Sequence, residues 1–374
     1  ITTDLVEVFD DGSIRIDMRF FAFHRGLRMI DERRFEQLFG MKRREPESEI
    51  TAAHTALAKA IQLVTEDIVL KMARHAVEVT GERRLCLAGG VALNCVANGR
   101  LLESGIVDDL FVQPAAGDAG GALGAAWLAH HAHFGGDRVL RTPDAMQGGR
   151  LGPAFDDLSI HRALERADGL IIHRMNEAEV VEKTAQLLAE GKTIGWFQGR
   201  MEFGPRALGG RSILASPLDR AMQVRLNLQV KKRESFRPFA PIMLREEFKR
   251  FFGHDHASPY MLLVHHILDE HRTDVEPATD LAVRIRQPRS VLPAITHVDH
   301  SARIQTVEPE TDPMMHGLLQ AFKARTGVGV LVNTSFNVRG EPIVQSPEDA
   351  VACYLTTDLD HLVIGPFLVS KATD

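Results

Sequence analysis

The chain has 374 residues, 44% of them hydrophobic and 25% charged, which is the composition of an ordinary globular protein at a length beyond one typical core, so two domains are expected. A formal net charge of -6 argues against wholesale nucleic-acid binding, which calls for a basic excess, and confines any anion recognition to a local site. Cys86, Cys95 and Cys353 are odd in number and lack CxxC spacing, and no apolar run approaches the ~18 to 20 residues of a membrane helix, so the expectation is a protein of the reducing cytoplasm with no disulfide framework, structural zinc or membrane span.

The text opens at Ile1 rather than Met, in what reads as mid-strand, and raises the expectation that residues precede it. Residues 1–50 carry a short alternating segment, 13–18, and a charged stretch ending near Pro46. From 50 to about 79, Leu57, Ile61, Val64, Ile68 and Met72 recur at helical spacing without Pro or Gly and predict one long helix, closed by Gly81. A buried strand is expected over 85–88, after which Gly89-Gly90 turns the chain into a helix from about 91 to 103. The pattern repeats as strand 110–112, loop 114–118 and helix 119 to about 133, so an α/β layer with ligands at strand C-termini is expected. A Gly-, Asp-, Arg- and Pro-rich stretch over 135–153 reads as a linker. A second α/β domain follows, with helix 177–190, strand 193–197, a strand near 261–265, helix 314–326 and strand 328–332.

Several segments could carry chemistry. Gly89, Gly90 and Asn94 sit where a strand feeds a helix and suit a nucleotide phosphate, or a tight turn with glycine for packing alone. Asp118 could ligate a metal or act as an ordinary helix N-cap, and His130, His131 and His133 read as a solvated helix end. The segment 198–212 packs three arginines, Arg200, Arg206 and Arg211, and four glycines into one loop, so guanidinium forks and backbone amides are expected to converge on phosphate or carboxylate oxygens. Lys231-Lys232-Arg233 stands against the proline-fixed apolar wall 236–241, where a cleft would strengthen its hold on a polyphosphate. Arg303 reads as a surface arginine on a strand. Asn333-Thr334-Ser335-Phe336-Asn337 reads equally as a turn or a binding loop.

Taken together, the segments 88–98, 114–126, 195–212, 227–244 and 332–344 resemble the NodU/CmcH family of carbamoyltransferases, which modify nodulation factors, cephalosporin-type antibiotics and aminoglycosides. The resemblance runs from about residue 50 to the C-terminus and implies an α/β chain in two parts: over 1–150 the C-terminal portion of an actin-like (ASKHA) metal domain, and over 151–374 a YrdC-like α/β domain. That second domain is implied to take ATP with Mg2+ and carbamoyl phosphate and to make carbamoyl-adenylate with loss of pyrophosphate. Lys231 and Arg233 fall on its Lys-x-Arg signature, and Ser335 and Asn337 on its Ser-x-Asn signature. Arg206, Arg211 and Arg303 match further phosphate- and carbamoyl-binding arginines, and Asn333 falls in the same binding segment. In the first domain Gly89, Gly90 and Asn94 would hold adenosine and Asp118 would ligate a metal, iron by resemblance (Fe2+), while a hydroxylated small-molecule acceptor attacks.

The family's His-x-x-x-His pair does not occur before Asp118, so an incomplete metal site is expected, together with adenylate formation but poor transfer. The competing readings are a threonylcarbamoyl-adenylate or hydrogenase-maturation carbamoyl transferase, which the metal-domain-first order disfavours, and a non-catalytic nucleotide-binding relative. The acceptor and the oligomeric state are not legible in the residues.

Overall fold

The computed structural model describes residues 1–45, 48–142, 145–276 and 281–372; Pro46, and Pro143 and Asp144 in the middle of the expected linker, lie outside them. Two compact units emerge, one of residues 1–87 with 96–111 and the other of residues 88–95 with 112–374.

The first unit opens with strands β1 (Val6–Val8) and β2 (Ile14–Ile16), paired antiparallel, and helix α1 (Glu32–Phe39). The expected long helix is α2 (Ala52–Thr80), 29 residues. Thr51 accepts from the backbone N–H of His54 at its start, and Gly81 at φ 71° closes its end by donating to the Val77 carbonyl, so both ends satisfy groups that a helix leaves open. Strand β3 (Arg84–Leu87), helix α3 (Cys95–Glu103) and strand β4 (Asp109–Val112) follow, with β3 and β4 paired in a two-stranded sheet. The core here is small: Ala73, Leu101 and Val107 are buried, with Val69, Leu85 and Leu110 packed around them. Its buried carboxylate, Glu66, is answered by Gln62 Nε2 at 2.9 Å and by Arg100.

The second unit carries helix α4 (Asp118–Leu128), which widens into a π-turn at Ala129–His133, and then helix α5 (Asp157–Glu165), strand β5 (Leu170–Arg174), helix α6 (Glu177–Ala189), strand β6 (Ile194–Phe197), strand β7 (Arg211–Ala215) and helix α7 (Met222–Arg225). Strand β8 (Ala240–Leu244), helix α8 (Arg245–Phe252), strand β9 (Leu263–His266), helix α9 (Leu281–Arg286), strand β10 (Ser301–Val307), helix α10 (Pro313–Thr326), strand β11 (Val330–Ser335), helix α11 (Pro347–Leu355), strand β12 (His361–Ile364) and strand β13 (Phe367–Lys371) complete it. The nine strands β5 to β13 form one mixed sheet in the order β5-β13-β12-β6-β7-β11-β8-β10-β9. Two neighbouring pairs, β12 with β6 and β10 with β8, are parallel and the rest antiparallel.

Alternation along the central strands sends side chains to both faces. Ile213, Ala215 and Met243 enter one core with Phe248 and Phe251 of α8 and Val351 and Tyr354 of α11. Leu214, Ile242 and Leu244 enter the other with Leu188 of α6 and Leu318 and Phe322 of α10. Covered on both faces, strands of this kind carry continuous apolar runs, although β7 and β8 were not among the strands expected.

Two local expectations change. The turn at Gly89-Gly90 does not run straight into a helix: Gly90–Leu93 is one 3-10 turn, Asn94 (φ -77°, ψ 85°) breaks it, and α3 starts only at Cys95. The strand expected to end at 332 continues through Ser335, because β7 and β8 supply ladder partners on both sides, Asn333 lying opposite Leu214 and Ala240.

Candidate active site

The loop between β6 and β7 is folded over a buried carboxylate. Glu202 is 4% exposed, and its Oε1 accepts from the backbone N–H groups of Leu208 (2.7 Å), Gly210 (2.6 Å) and Arg211 (3.2 Å). Carbonyls of the loop are held in turn. Trp196 Nε1 donates to Gly209 O (2.9 Å), Asn333 Nδ2 to Ala207 O (3.1 Å), Gln305 Nε2 to Leu208 O (3.0 Å), and Arg150, ion-paired with Asp312, also to Leu208 O (3.3 Å). Gly204 adopts φ 141°, and a Cβ there would stand 2.8 Å from the Pro114 carbonyl, so this turn requires glycine.

This architecture brings three of the loop's amides onto a carboxylate, but one the loop itself supplies, Glu202. It also separates the arginines. Arg211 is fully buried on the first residue of β7, with its guanidinium 3.5 Å over the Phe197 ring and donating to the carbonyls of Gln198 (3.2 Å), Gly199 (3.2 Å) and Gly210 (2.9 Å). Burial pulls it down to about 10, offset by the charge of Glu202. Arg211 braces the loop from beneath and its Nη1 contacts are to carbonyls. Asn333, 1% exposed, belongs to the same brace, through Ala207 and through Gln305 Oε1 at 2.8 Å.

Lys231, 3% exposed, follows a π-turn at Leu226–Val230, and it meets the end of β11. Its Nζ donates to Asn337 Oδ1 (2.7 Å), Ser335 Oγ (3.1 Å), Asn337 O (3.1 Å) and the Ser335 carbonyl, while Ser335 Oγ donates to Asn337 Oδ1 at 2.7 Å. Burial and then the neighbouring charge of Arg233 pull the ammonium down to about 7. Arg233 is fixed by Asn227, its Nε donating to Oδ1 at 2.7 Å, and its guanidinium lies 5.1 Å from the Phe239 ring centre. Between the two, Lys232 takes φ 50°, a left-handed conformation that turns its side chain away to the Thr356 carbonyl.

Electrostatics tie the remaining arginines to this corner. Arg303 is half-buried on β10, not a surface residue, and burial, then the like charge of Arg206, bring it down to about 10. Arg233 is likewise pulled to about 10, first by burial and then by Arg237, with Arg303 adding to the effect. The acidic neighbour of Arg233, Glu234, is ion-paired with Arg237 at 3.1 Å. Like charge thus meets like charge in sequence, Lys231 with Arg233, Arg233 with Arg303 and Arg303 with Arg206, in partly desolvated space, the condition a polyanion relieves. Beside them a cavity of about 760 Å³ is lined by Ser335, Asn337, Pro205, Glu341, Ile343 and Thr356.

The other predicted positions make none of the Lys231 contacts, although Cys95, the residue after Asn94, is hydrogen-bonded to Arg303. Gly89, at φ 98°, donates its N–H to Ala116 O (2.8 Å), and Gly90 is exposed; Asn94 closes the 3-10 turn by donating its backbone N–H to Val91 O. Asp118 is the exposed first residue of α4, with Gly117 at the cap position, so it is not the N-cap. Among the described residues it belongs to no group of three or more possible metal ligands. Residue-by-residue reading missed Glu202, Arg150, Asp312, Asn227 and Gln305. Glu202 carried a signal, a lone acid within a run of glycines and arginines.

Two family models match this chain, "Carbamoyltransferase N-terminus" over residues 1–127 and "Carbamoyltransferase C-terminus" over residues 185–371. The chain belongs to the carbamoyltransferase family, and to the branch that resembles NodU and the cephem O-carbamoyltransferases. It is 49% identical over 375 residues to an uncharacterized protein of Synechocystis sp., covering 99% of this chain and 61% of that one. It is 44% identical to nodulation protein NolO of Bradyrhizobium diazoefficiens (86% of this chain, 55% of the relative). A 3'-hydroxymethylcephem-O-carbamoyltransferase of Amycolatopsis lactamdurans is 34% identical (77% and 49%). The chain spans about half the length of most of these relatives, 61%, 55% and 49% respectively.

Proposed function

We propose that residues 151–374 form a YrdC-like adenylating domain and that the chain acts in ATP-dependent O-carbamoyl transfer in the cytoplasm, with part of an actin-like transfer domain in residues 1–150. Carbamoyl phosphate first yields carbamate and inorganic phosphate by addition of water. A carbamate oxygen then attacks the α-phosphorus of ATP, the bond to the β-phosphate breaks, and pyrophosphate leaves with Mg2+. The carbamoyl group passes from the adenylate to a hydroxyl of a small acceptor, AMP departing and the hydroxyl proton being released.

The observation that carries this reading is the convergence of Lys231 on Ser335 and Asn337, with Arg303 repelled by Arg233 on one side and by Arg206 on the other. Phosphoryl chemistry of this kind needs no protein nucleophile; it needs fixed positive charge at the oxygens where negative charge gathers. Lys231 and Arg233 would take the polyphosphate, Arg206 and Arg303 the carbamoyl donor and the α-phosphate, and the adjoining cavity the nucleoside. Arg211 and Asn333 hold the loop that presents Arg206.

The test is pyrophosphate release with ATP plus carbamoyl phosphate, set beside ATP plus bicarbonate and threonine. Release only with carbamoyl phosphate supports the reading. Release only with the second pair replaces it with threonylcarbamoyl-adenylate formation, and nucleotide binding without release in either replaces it with a non-catalytic module.

A further inference from the structure

The stretch 146–153, expected as linker, runs as a strap along the loop between β6 and β7. Gln147, Gly148 and Gly149 take φ 50°, 68° and 77° in succession, a left-handed reversal that lays the chain beside that loop. The Gly149 carbonyl accepts from Phe203 N–H at 2.7 Å, Gly152 N–H donates to Met201 O at 2.9 Å, and Met201 N–H donates to Pro153 O at 2.8 Å. From the strap Arg150 reaches into the loop. Its Nη1 donates to Gln198 O (3.5 Å) where the loop starts and its Nη2 to Leu208 O (3.3 Å) near its end. It is also ion-paired with Asp312, which caps α10 by accepting from Met315 N–H at 3.1 Å; the two side chains are 16% and 20% exposed. The loop backbone packs directly on the guanidinium: a Cβ on Gly209 would stand 3.2 Å from Nη2, and one on Gly210 3.0 Å from Nη1.

Arg206 lies on the same loop, between Phe203 and Leu208. Its Nε is buried with no hydrogen-bond partner among the described residues, so its guanidinium is placed by the backbone that carries it. That backbone is held ahead of Arg206 by the strap and behind it by Arg150. A planar fork fixes two carbonyls and a carboxylate at once, which an ammonium on a flexible stem does not.

We propose that Arg150, paired with Asp312, is a positioning residue for Arg206: the strap 146–153 holds the loop 198–212 in the shape that brings Arg206 to Arg303. The use of Arg206 in adenylation rests on the function proposed above; the holding of the loop does not.

Two measurements on the full chain test this. Amide hydrogen exchange reads the loop, and pyrophosphate release from ATP with carbamoyl phosphate reads Arg206. In Arg150→Met the amides of 203–212 exchange at least about tenfold faster than in the wild type, while those of α2 keep their rates. Pyrophosphate release per folded molecule falls about 100-fold, the scale of a misplaced catalytic group. Made in the Arg206→Met background, the same substitution lowers the residual release by less than about twofold, because a residue that acts through Arg206 has nothing left to place. Arg150→Lys keeps a charge beside Asp312 but loses the fork, so both readings fall between wild type and Arg150→Met, and it carries the test should Arg150→Met not fold. Unchanged exchange over 203–212 overturns the proposal, as does an equal loss of release with and without Arg206. If the wild type itself releases no pyrophosphate, the proposed activity is what fails, and the exchange comparison alone decides the strap.

Discussion

Lys231 Nζ donates to Asn337 Oδ1 at 2.7 Å across a sequence separation of 106 residues. The same ammonium reaches Ser335, so one buried cation joins the turn after Leu226–Val230 to the end of β11. The consequence is a positive charge whose position is fixed before any ligand arrives, in a surrounding that disfavours it.

That disfavour sets a pH dependence. The folded value, about 7, lies below the ordinary 10.5, so between those two pH values the unfolded chain holds a proton that the folded chain lacks. The contribution of Lys231 to stability therefore grows as pH rises from 7 towards 10.5 and is lost as pH falls through that window. A triphosphate favours the ammonium, so ATP binding at pH 8 takes up a fraction of a proton and at pH 5.5 almost none. Calorimetry in buffers of differing ionisation enthalpy reads this uptake directly. Lys231→Met abolishes it and lowers pyrophosphate release ~100-fold or more, the scale of removing one fixed charge-stabilising donor. Identical heats in all buffers for the wild type would rule out Lys231 as the group that meets the phosphates.

Glu202 makes a prediction about stability. Glu202→Ala leaves three loop amides and the buried Arg211 without their acceptor and counter-charge, a loss of about 3 kcal/mol by analogy with other broken buried pairs. Glu202→Gln keeps a carbonyl for the amides and loses only the charge, so it lies between the two. Urea denaturation measures both, and an Ala variant within ~0.5 kcal/mol of wild type refutes the role given to this carboxylate.

Gly204→Ala tests the turn itself. At φ 141° any side chain is strained, and the Cβ meets a carbonyl 2.8 Å away, so a loss of ~1–3 kcal/mol is expected. Gly81→Ala, at φ 71° with open space beyond, is the control: it carries backbone strain but no collision and so loses less. Equal losses in thermal melts would remove the steric part of the argument.

Elements whose information is local were legible. The helix expected over 50–79 is α2 because its apolar spacing and its closing glycine both lie within the segment. The buried strands over 193–197 and 328–332 were legible because a strand covered on both faces has no alternation to misread. What a one-dimensional reading does not hold is which of several like residues faces inward. Arg206 and Arg211 lie five positions apart in one loop, yet Glu202 and Phe197 claim Arg211, while Arg206 is left against Arg303. Arg303 alone looked like a surface residue because its neighbours come from β8 and β9, distant in sequence. The meeting of Lys231 with Ser335 and Asn337 was expected only through the family resemblance, since no residue pattern encodes a contact at that separation.

The like-charge contact between Arg206 and Arg303 supplies the last prediction, and it has two signs. In the free protein the two guanidinium groups repel, and that repulsion, after burial, is what brings Arg303 down to about 10. Removing one of them relieves the fold, so Arg206→Met raises the melting temperature of the ligand-free chain. The same substitution deletes a charge-assisted donor, each worth ~1.5–3 kcal/mol, so ATP or carbamoyl phosphate binds at least about tenfold more weakly. A merely structural arginine moves both measurements the other way: its loss lowers the melting temperature and leaves affinity per folded molecule intact. Thermal melts of the free protein and titration with each ligand, on Arg206→Met, Arg303→Met and the double variant, separate the two roles. The double variant should gain less stability than the sum of the singles, because a repulsion between two groups is removed once.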